Sequence, residues 1–172
     1  KFTHQFRQGT KVDVDVLSSN DRLEFATITQ PDYNWRGNST SISASNLIGE
    51  RLFANIVAYN TYYRAERLIK SSDSATPSST LVKEPGIRVS ANTFTDAQNL
   101  FFFGFEFSFP TLEYQLINNV GSQLDILSSF VDATAWARYQ AKYDRFQLDV
   151  GAHVDIASLL NREQGIEAVQ PR

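Results

Sequence analysis

Asp149, His153 and Asp155 are the residues whose types and spacing come closest to chemistry. Successive side chains of an extended segment alternate between faces, so these two carboxylates and one imidazole share one side of a strand. Such a set is material for a metal site or a proton relay. A lone His among carboxylates of a polar wall is more often a solvated side chain than a ligand, and no metal is expected. Asp32-Tyr33-Asn34-Trp35-Arg36-Gly37 superficially resembles a calcium loop, but its twelfth position is Ser43, where a bidentate Glu is required. Asn38-Ser39-Thr40 has the pattern of a glycosylation sequon without a secretory eukaryotic context to support it. Ser, His and Asp all occur, yet no G-x-S-x-G elbow anchors a nucleophile. The expectation is a protein that is not an enzyme and takes no cofactor.

The elements that carry these residues are strands. Residues 100–109 place Phe101, Phe103, Phe105, Phe107 and Phe109 on odd positions, against Phe102, Gly104, Glu106 and Ser108 on even ones. A strand gathers those five rings into one column, whereas a helix would scatter them around its axis. Residues 145–156 repeat the pattern, with Phe146, Leu148, Val150, Ala152, Val154 and Ile156 against Asp149, His153 and Asp155. Val131, Ala133, Ala135, Ala137 and Tyr139 alternate with Asp132, Trp136 and Arg138; Val12, Val14 and Val16 with Lys11, Asp13 and Asp15; Ile87 and Val89 with Arg88. Less regular strands run roughly over 35–48 and 52–64, and another over 2–6. The total is eight strands and the start of a ninth at 167–172, with all five Pro in connections or at strand ends. Connections alternate in length. Short turns at 8–10, 49–51, 96–99 and 143–144 are interleaved with long polar stretches at 18–33, 65–85, 110–128 and 157–166. Outer-membrane barrels have this habit.

Composition narrows the classes. The chain has 172 residues and a net charge of −3, so no basic surplus exists to neutralise nucleic-acid phosphates. Cysteine is absent, which excludes disulfide scaffolds and thiol chemistry. A mean hydropathy of −0.30, without an apolar run near the length a helix needs to cross a bilayer, excludes helical spanning. Thirteen Phe, seven Tyr and two Trp in so polar a chain are the unusual feature.

Alternation alone does not say which face looks where. In a soluble calyx the Phe column lines a ligand cavity; in a membrane barrel it faces lipid and the charged face lines the lumen. Three features favour lipid. Trp136 and two Gly sit among the charges, Phe beside Ala-sized residues suits lipid better than a close-packed core, and Tyr33, Trp35, Tyr59, Tyr62, Tyr63, Tyr139 and Phe146 gather at strand ends like interfacial girdles. Arg88, Glu106, Asp132, Trp136, Arg138, Asp149, His153 and Asp155 are therefore lumen candidates. Phe101, Phe103, Phe105, Phe107, Phe109, Phe146, Leu148, Val150 and Val154 are lipid-facing candidates. A two-residue Tyr143-Asp144 loop would set Arg138 opposite Asp149 and Trp136 opposite Gly151.

Asn34-Trp35-Arg36-Gly37-Asn38, then Gly49-Glu50-Arg51-Leu52-Phe53-Ala54-Asn55 running to Tyr59-Asn60-Thr61-Tyr62-Tyr63-Arg64, resembles a stretch in the barrels of TonB-dependent outer-membrane receptors, particularly those of Bacteroidota. Gly86-Ile87-Arg88-Val89, the Phe strand and Glu167-Ala168-Val169-Gln170-Pro171-Arg172 follow in the family's order. The resemblance covers roughly residues 10–172 and rests on order and loop rhythm, since each motif is degenerate. It implies an all-β, antiparallel transmembrane barrel of about 22 strands with a plug in its lumen, of which this chain is a C-terminal arc. It also implies a bacterial outer-membrane location, contact with outer-membrane lipids and uptake of a scarce nutrient such as a siderophore, glycan or peptide. The TonB energy-transducing complex would engage an N-terminal part outside this sequence, and a surface lipoprotein lid is a further implied partner. Substrate contacts would belong mainly to the long loops. The alternatives are a complete eight-stranded anchor or adhesion barrel and a soluble lipocalin-like barrel. Unfinished strands at both ends lead us to expect a piece of a longer polypeptide.

Overall fold

The computed structural model describes residues 1–6, 9–27, 30–70, 78–95, 99–117, 122–143 and 145–168. Its elements are strands throughout: β1 (Phe2–Gln5), β2 (Lys11–Leu23), β3 (Asp32–Ile48), β4 (Leu52–Leu68), β5 (Ser78–Phe94), β6 (Asn99–Ser108), β7 (Thr111–Ile117), β8 (Ser122–Tyr143) and β9 (Phe146–Ala168). They form one antiparallel sheet in which each strand pairs with the next, except that β6 and β7 share a place between β5 and β8.

The sequence signals extend further into the expected loops than alternation of apolar residues suggests. Most of 18–33, 65–85, 110–128 and 157–166 is strand. β7 lies wholly within one of those expected loops, and Glu167 and Ala168 close β9 instead of opening a ninth strand. The reason is that hydrophobic alternation marks only the part of a strand with one apolar face, while ladder pairing continues wherever a partner backbone is present. Residues 7–8, 71–77, 96–98, 144 and 169–172, which carry parts of the expected turns, the Ser-rich stretch and the C-terminal motif, lie outside the described residues.

Pro85 corrects the expectation that proline avoids strand interiors, because it lies within β5. The site explains itself through donors. β6 and β7 keep the same register on both β5 and β8, so they are one ribbon interrupted at Phe109-Pro110. Phe109 N donates to Pro85 O at 2.9 Å, and Phe130 N donates to Pro110 O at 2.9 Å. Neither proline can return the second bond of its pair, so two adjacent rungs are halved and the ribbon divides there.

Register turns alternation into layers. Val12, Ala44, Ile56, Val89, Phe105, Ala135 and Val154 are cross-strand neighbours in one row from β2 to β9. Val14, Ile42, Ala58, Ile87, Phe107, Ala133 and Ile156 form the next. Further along the same face charged and polar residues enter the rows: Asn20, Arg36, Arg64 and Glu113 beside Leu81 and Leu127, then the wholly polar row Arg22, Asn34, Glu66, Ser79, Gln115 and Asp125. On β7 and β8 the pattern inverts, since Leu112, Tyr114, Leu116, Leu124 and Ile126 lie on the face opposite to Phe105. The apolar rows thus form a belt of limited height.

Nothing covers the belt. Among the described residues the only buried apolar one is Ala141, and Phe105, Phe107, Ile56, Val154 and Ile156 are exposed. The chain exposes 12184 Å², against roughly 8,500 Å² for a compact globular protein of its mass. The sheet is open, with no contact between β1 and β9.

The β8–β9 hairpin corrects the expected register. Tyr143 pairs with Phe146, Arg138 faces Gly151 and Trp136 faces His153. Pairing shifts by two positions, which preserves the face of every side chain. Trp136 covers Gly104 on β6 instead of Gly151: a Cβ at Gly104 would fall 2.8 Å from the indole Cε2 and 2.6 Å from Val89 O. Gly104→Val should therefore lower stability by about 1–3 kcal/mol, read as an earlier midpoint in urea unfolding. An unchanged midpoint would show that the indole is not seated there.

Candidate functional site

The charged face concentrates its chemistry between β4 and β9. Glu106 is the centre. Its Oε1 accepts from Tyr59 OH at 2.6 Å and from Arg88 Nη2 at 3.0 Å, while Oε2 accepts from Arg88 Nε at 2.9 Å. Arg88 and Glu106 are direct cross-strand partners, so the fork-shaped guanidinium meets the carboxylate without either side chain leaving its row. Tyr59 reaches them over Gly86, where a Cβ would lie 2.8 Å from the ring Cε1. Ser39, Val57, Thr61 and Glu84 complete a recess of about 350 Å³ around the three.

A second cluster lies on β8 and β9. Arg138 Nε donates to Asp149 Oδ1 at 2.7 Å, Arg138 Nη2 bonds Asp149 Oδ2, and Gln140 Nε2 donates to Oδ2 at 2.9 Å. The Arg138–Asp149 pair anticipated from sequence forms, but diagonally, because a guanidinium on a long stem spans the two-position shift. Thr134 Oγ1 donates to Asp155 Oδ1 at 2.7 Å, and His153 Nε2 is 3.4 Å from Asp155 Oδ2. Asp149 is thus occupied by Arg138 and separated in partnership from His153 and Asp155. Among the described residues no group of three His, Asp or Glu could hold a metal ion.

All eight residues assigned to the lumen from sequence (Arg88, Glu106, Asp132, Trp136, Arg138, Asp149, His153, Asp155) lie on this one face. The nine assigned to lipid lie on the other. The aromatic girdle divides differently. Tyr33, Trp35, Tyr59 and Tyr63 belong to the charged face, and only Tyr62, Tyr139 and Phe146 to the Phe face. Tyr59 is the functional residue that sequence reasoning misplaced. Counting alternation outward from Ile56 and Ala58 would have set it opposite the apolar rows.

Lys70 is a second residue without a sequence signal. Its ammonium group is 2.8 Å from Asp32 Oδ1, donates to Thr27 O at 3.3 Å and also bonds Phe25 O, tying the β4–β5 connection to the β2–β3 connection. Phe25 N donates to Asp32 Oδ1 at 3.0 Å. Asp32 stands well above the apolar belt, and the bond from Lys70, then that from the Phe25 amide, hold its carboxyl below the usual carboxylate range.

No family model matches the sequence, and no curated protein matches it. The arrangement offers a polar wall whose charges are largely matched.

Two outcomes follow. A double-mutant cycle with Arg88→Met and Glu106→Gln should give a coupling of about 1 kcal/mol, because the pair is half-exposed but bidentate and buttressed by Tyr59; a coupling near zero would make the fork decorative. Since Asp32 has a folded-state pKa below its unfolded one, its tie is fully present above the ordinary carboxylate range and lost as pH falls through the lowered value. The amide-exchange protection factor in 24–27, taken against intrinsic rates at each pH, should fall on acidification through that range in the wild type. In Asp32→Asn it should already be low at neutral pH.

Proposed function

We propose that this chain is an arc of an outer-membrane β-barrel of the TonB-dependent receptor type, an importer and not an enzyme. The observation that carries the reading is the apolar belt. The β6 ribbon is apolar on one face from Phe101 to Phe109, one residue past the end of the strand, and β9 from Phe146 to Ile156, close to the roughly 9–11 residues a tilted strand needs to cross the hydrocarbon layer. Above the belt the same face turns polar, as a wall emerging into water must. Every backbone polar group within lipid has to be satisfied, which strands achieve only through ladder bonds to neighbours. The wide, matched charged face then lines the lumen, where Glu106, Arg88 and Tyr59 meet a plug or passing cargo.

A larger barrel, of about 22 strands in this family, is favoured over a closed eight-stranded one because the nine described strands lie in one open sheet, with no contact between β1 and β9. The soluble calyx is disfavoured because the apolar face is uncovered. Uptake of a siderophore, glycan or peptide, driven through the TonB complex and assisted by a lipoprotein lid, belongs to this reading.

Adjacent positions on β9 test it. In a background with Trp35 and Trp136 replaced by Phe, Leu148→Trp should be strongly quenched by brominated lipids after reconstitution, and Gln147→Trp weakly. Equal quenching, or a monomer that stays soluble without detergent, would remove the membrane reading. The transporter reading further expects a plug domain and TonB box upstream in the same reading frame; a frame without them would overturn it.

A further inference from the structure

Just above the apolar belt, on its own face, the register sets Arg36 of β3 directly opposite Arg64 of β4. Like charges in that relation repel, and the sheet could have avoided the clash with any polar residue. Arg22 on β2 and Lys83 on β5 flank the pair on the same face. Three of the four cations have carboxylates: Arg22 binds Glu24 at 2.7 Å, Arg64 binds Glu66 at 2.6 Å and Lys83 binds Glu113 at 2.8 Å. Arg36 is exposed and has no ion-pair partner among the described residues.

Below the pair, Asn38 faces Tyr62, and the side chains become smaller beneath that ring. Thr40, Ile42, Ala58 and Asn60, with Val14 beside them, border a shallow groove of about 360 Å³ on the same face. Arg36 stands four residues above Thr40 on β3, and Arg64 four above Asn60 on β4, a separation of about 13 Å at the usual rise per residue. The groove runs down into the belt at Ile42 and Ala58. A cationic pair at the top and an apolar channel beneath it match one kind of molecule, an amphiphile with a phosphate head and an acyl chain.

We propose that Arg36 and Arg64 bind the phosphate of a membrane lipid whose acyl chain lies in the Ile42–Ala58 groove. Among the described residues no carboxylate competes with a bidentate contact from the Arg36 guanidinium. Arg64 keeps those that Glu66 does not use, and the anion removes the repulsion between the two. The proposal rests on the assignment of the Phe face to lipid.

The test uses the protein held in a zwitterionic detergent, titrated with phosphatidic acid, with diacylglycerol of the same chains and with inorganic phosphate, and read by native mass spectrometry. One phosphatidic acid should be retained, diacylglycerol should not, and millimolar inorganic phosphate should not displace the lipid. Arg36→Gln should weaken retention about tenfold or more. Ala58→Trp, which fills the groove without touching charge, should weaken it as well. Retention unchanged in Arg36→Gln, or equal retention of diacylglycerol, would overturn the proposal. Displacement by inorganic phosphate, or an unaffected Ala58→Trp, would overturn its lipid component. If Leu148→Trp is quenched by brominated lipid yet phosphatidic acid is not retained, this inference fails and the membrane reading stands.

Discussion

Backbone hydrogen bonding in an antiparallel ladder ties each side chain to those of the neighbouring strands, because a shift of one residue reverses the face of a whole strand. From β2 to β9 no such reversal occurs within the belt, so seven strands deliver Val12, Ala44, Ile56, Val89, Phe105, Ala135 and Val154 to one row. The belt, the charged wall and the arginine pair above the belt are all consequences of that constancy. The departures that exist respect it. The β8–β9 turn shifts pairing by an even number, and the irregularity at Ser129/Phe130 lies beyond the apolar rows.

The height at which the belt ends is also where the ladder is weakest. Pro85 and Pro110 each withhold a donor beside Phe109, the last ring of the Phe column. Above them Lys83 and Glu113 pair across the same two strands at 2.8 Å, and the apolar residues of β7 move to the other face. A change of environment along the sheet normal to the rows accounts for all three observations. Below the prolines the Phe face tolerates no charge, and above them it carries several.

The charged face solves a different problem. Charges on a wall are inexpensive only if solvated or matched, and a bidentate fork between direct partners matches them with little side-chain ordering. Arg88–Glu106 and Arg138–Asp149 do this on separate hairpins, and the two bare backbones at Gly86 and Gly104 accept the rings of Tyr59 and Trp136. The wall is therefore packed as well as polar, which leaves the recess at Tyr59, Glu106 and Arg88 as its principal irregularity.

Alternation was legible wherever one face is apolar: the Phe column of β6, the valines of β2 and the run from Phe146 to Ile156 each declared strand and face without a structure. Two residue types hid the rest. Polar strand ends such as 18–23 and 65–68 look like loop because their alternation is not hydrophobic, and β7 escaped because its apolar residues sit on the opposite face from those of β6. The face of every predicted lumen and lipid candidate followed from chain periodicity, a local property of the backbone. What the tertiary structure decided was which residues meet across strands. Arg138 with Asp149 on a diagonal, Tyr59 on Glu106, Trp136 on Gly104, Lys70 on Asp32 and Arg36 against Arg64 all depend on turn length and register. Those are settled by the pairing of whole strands, and no single segment of sequence contains them.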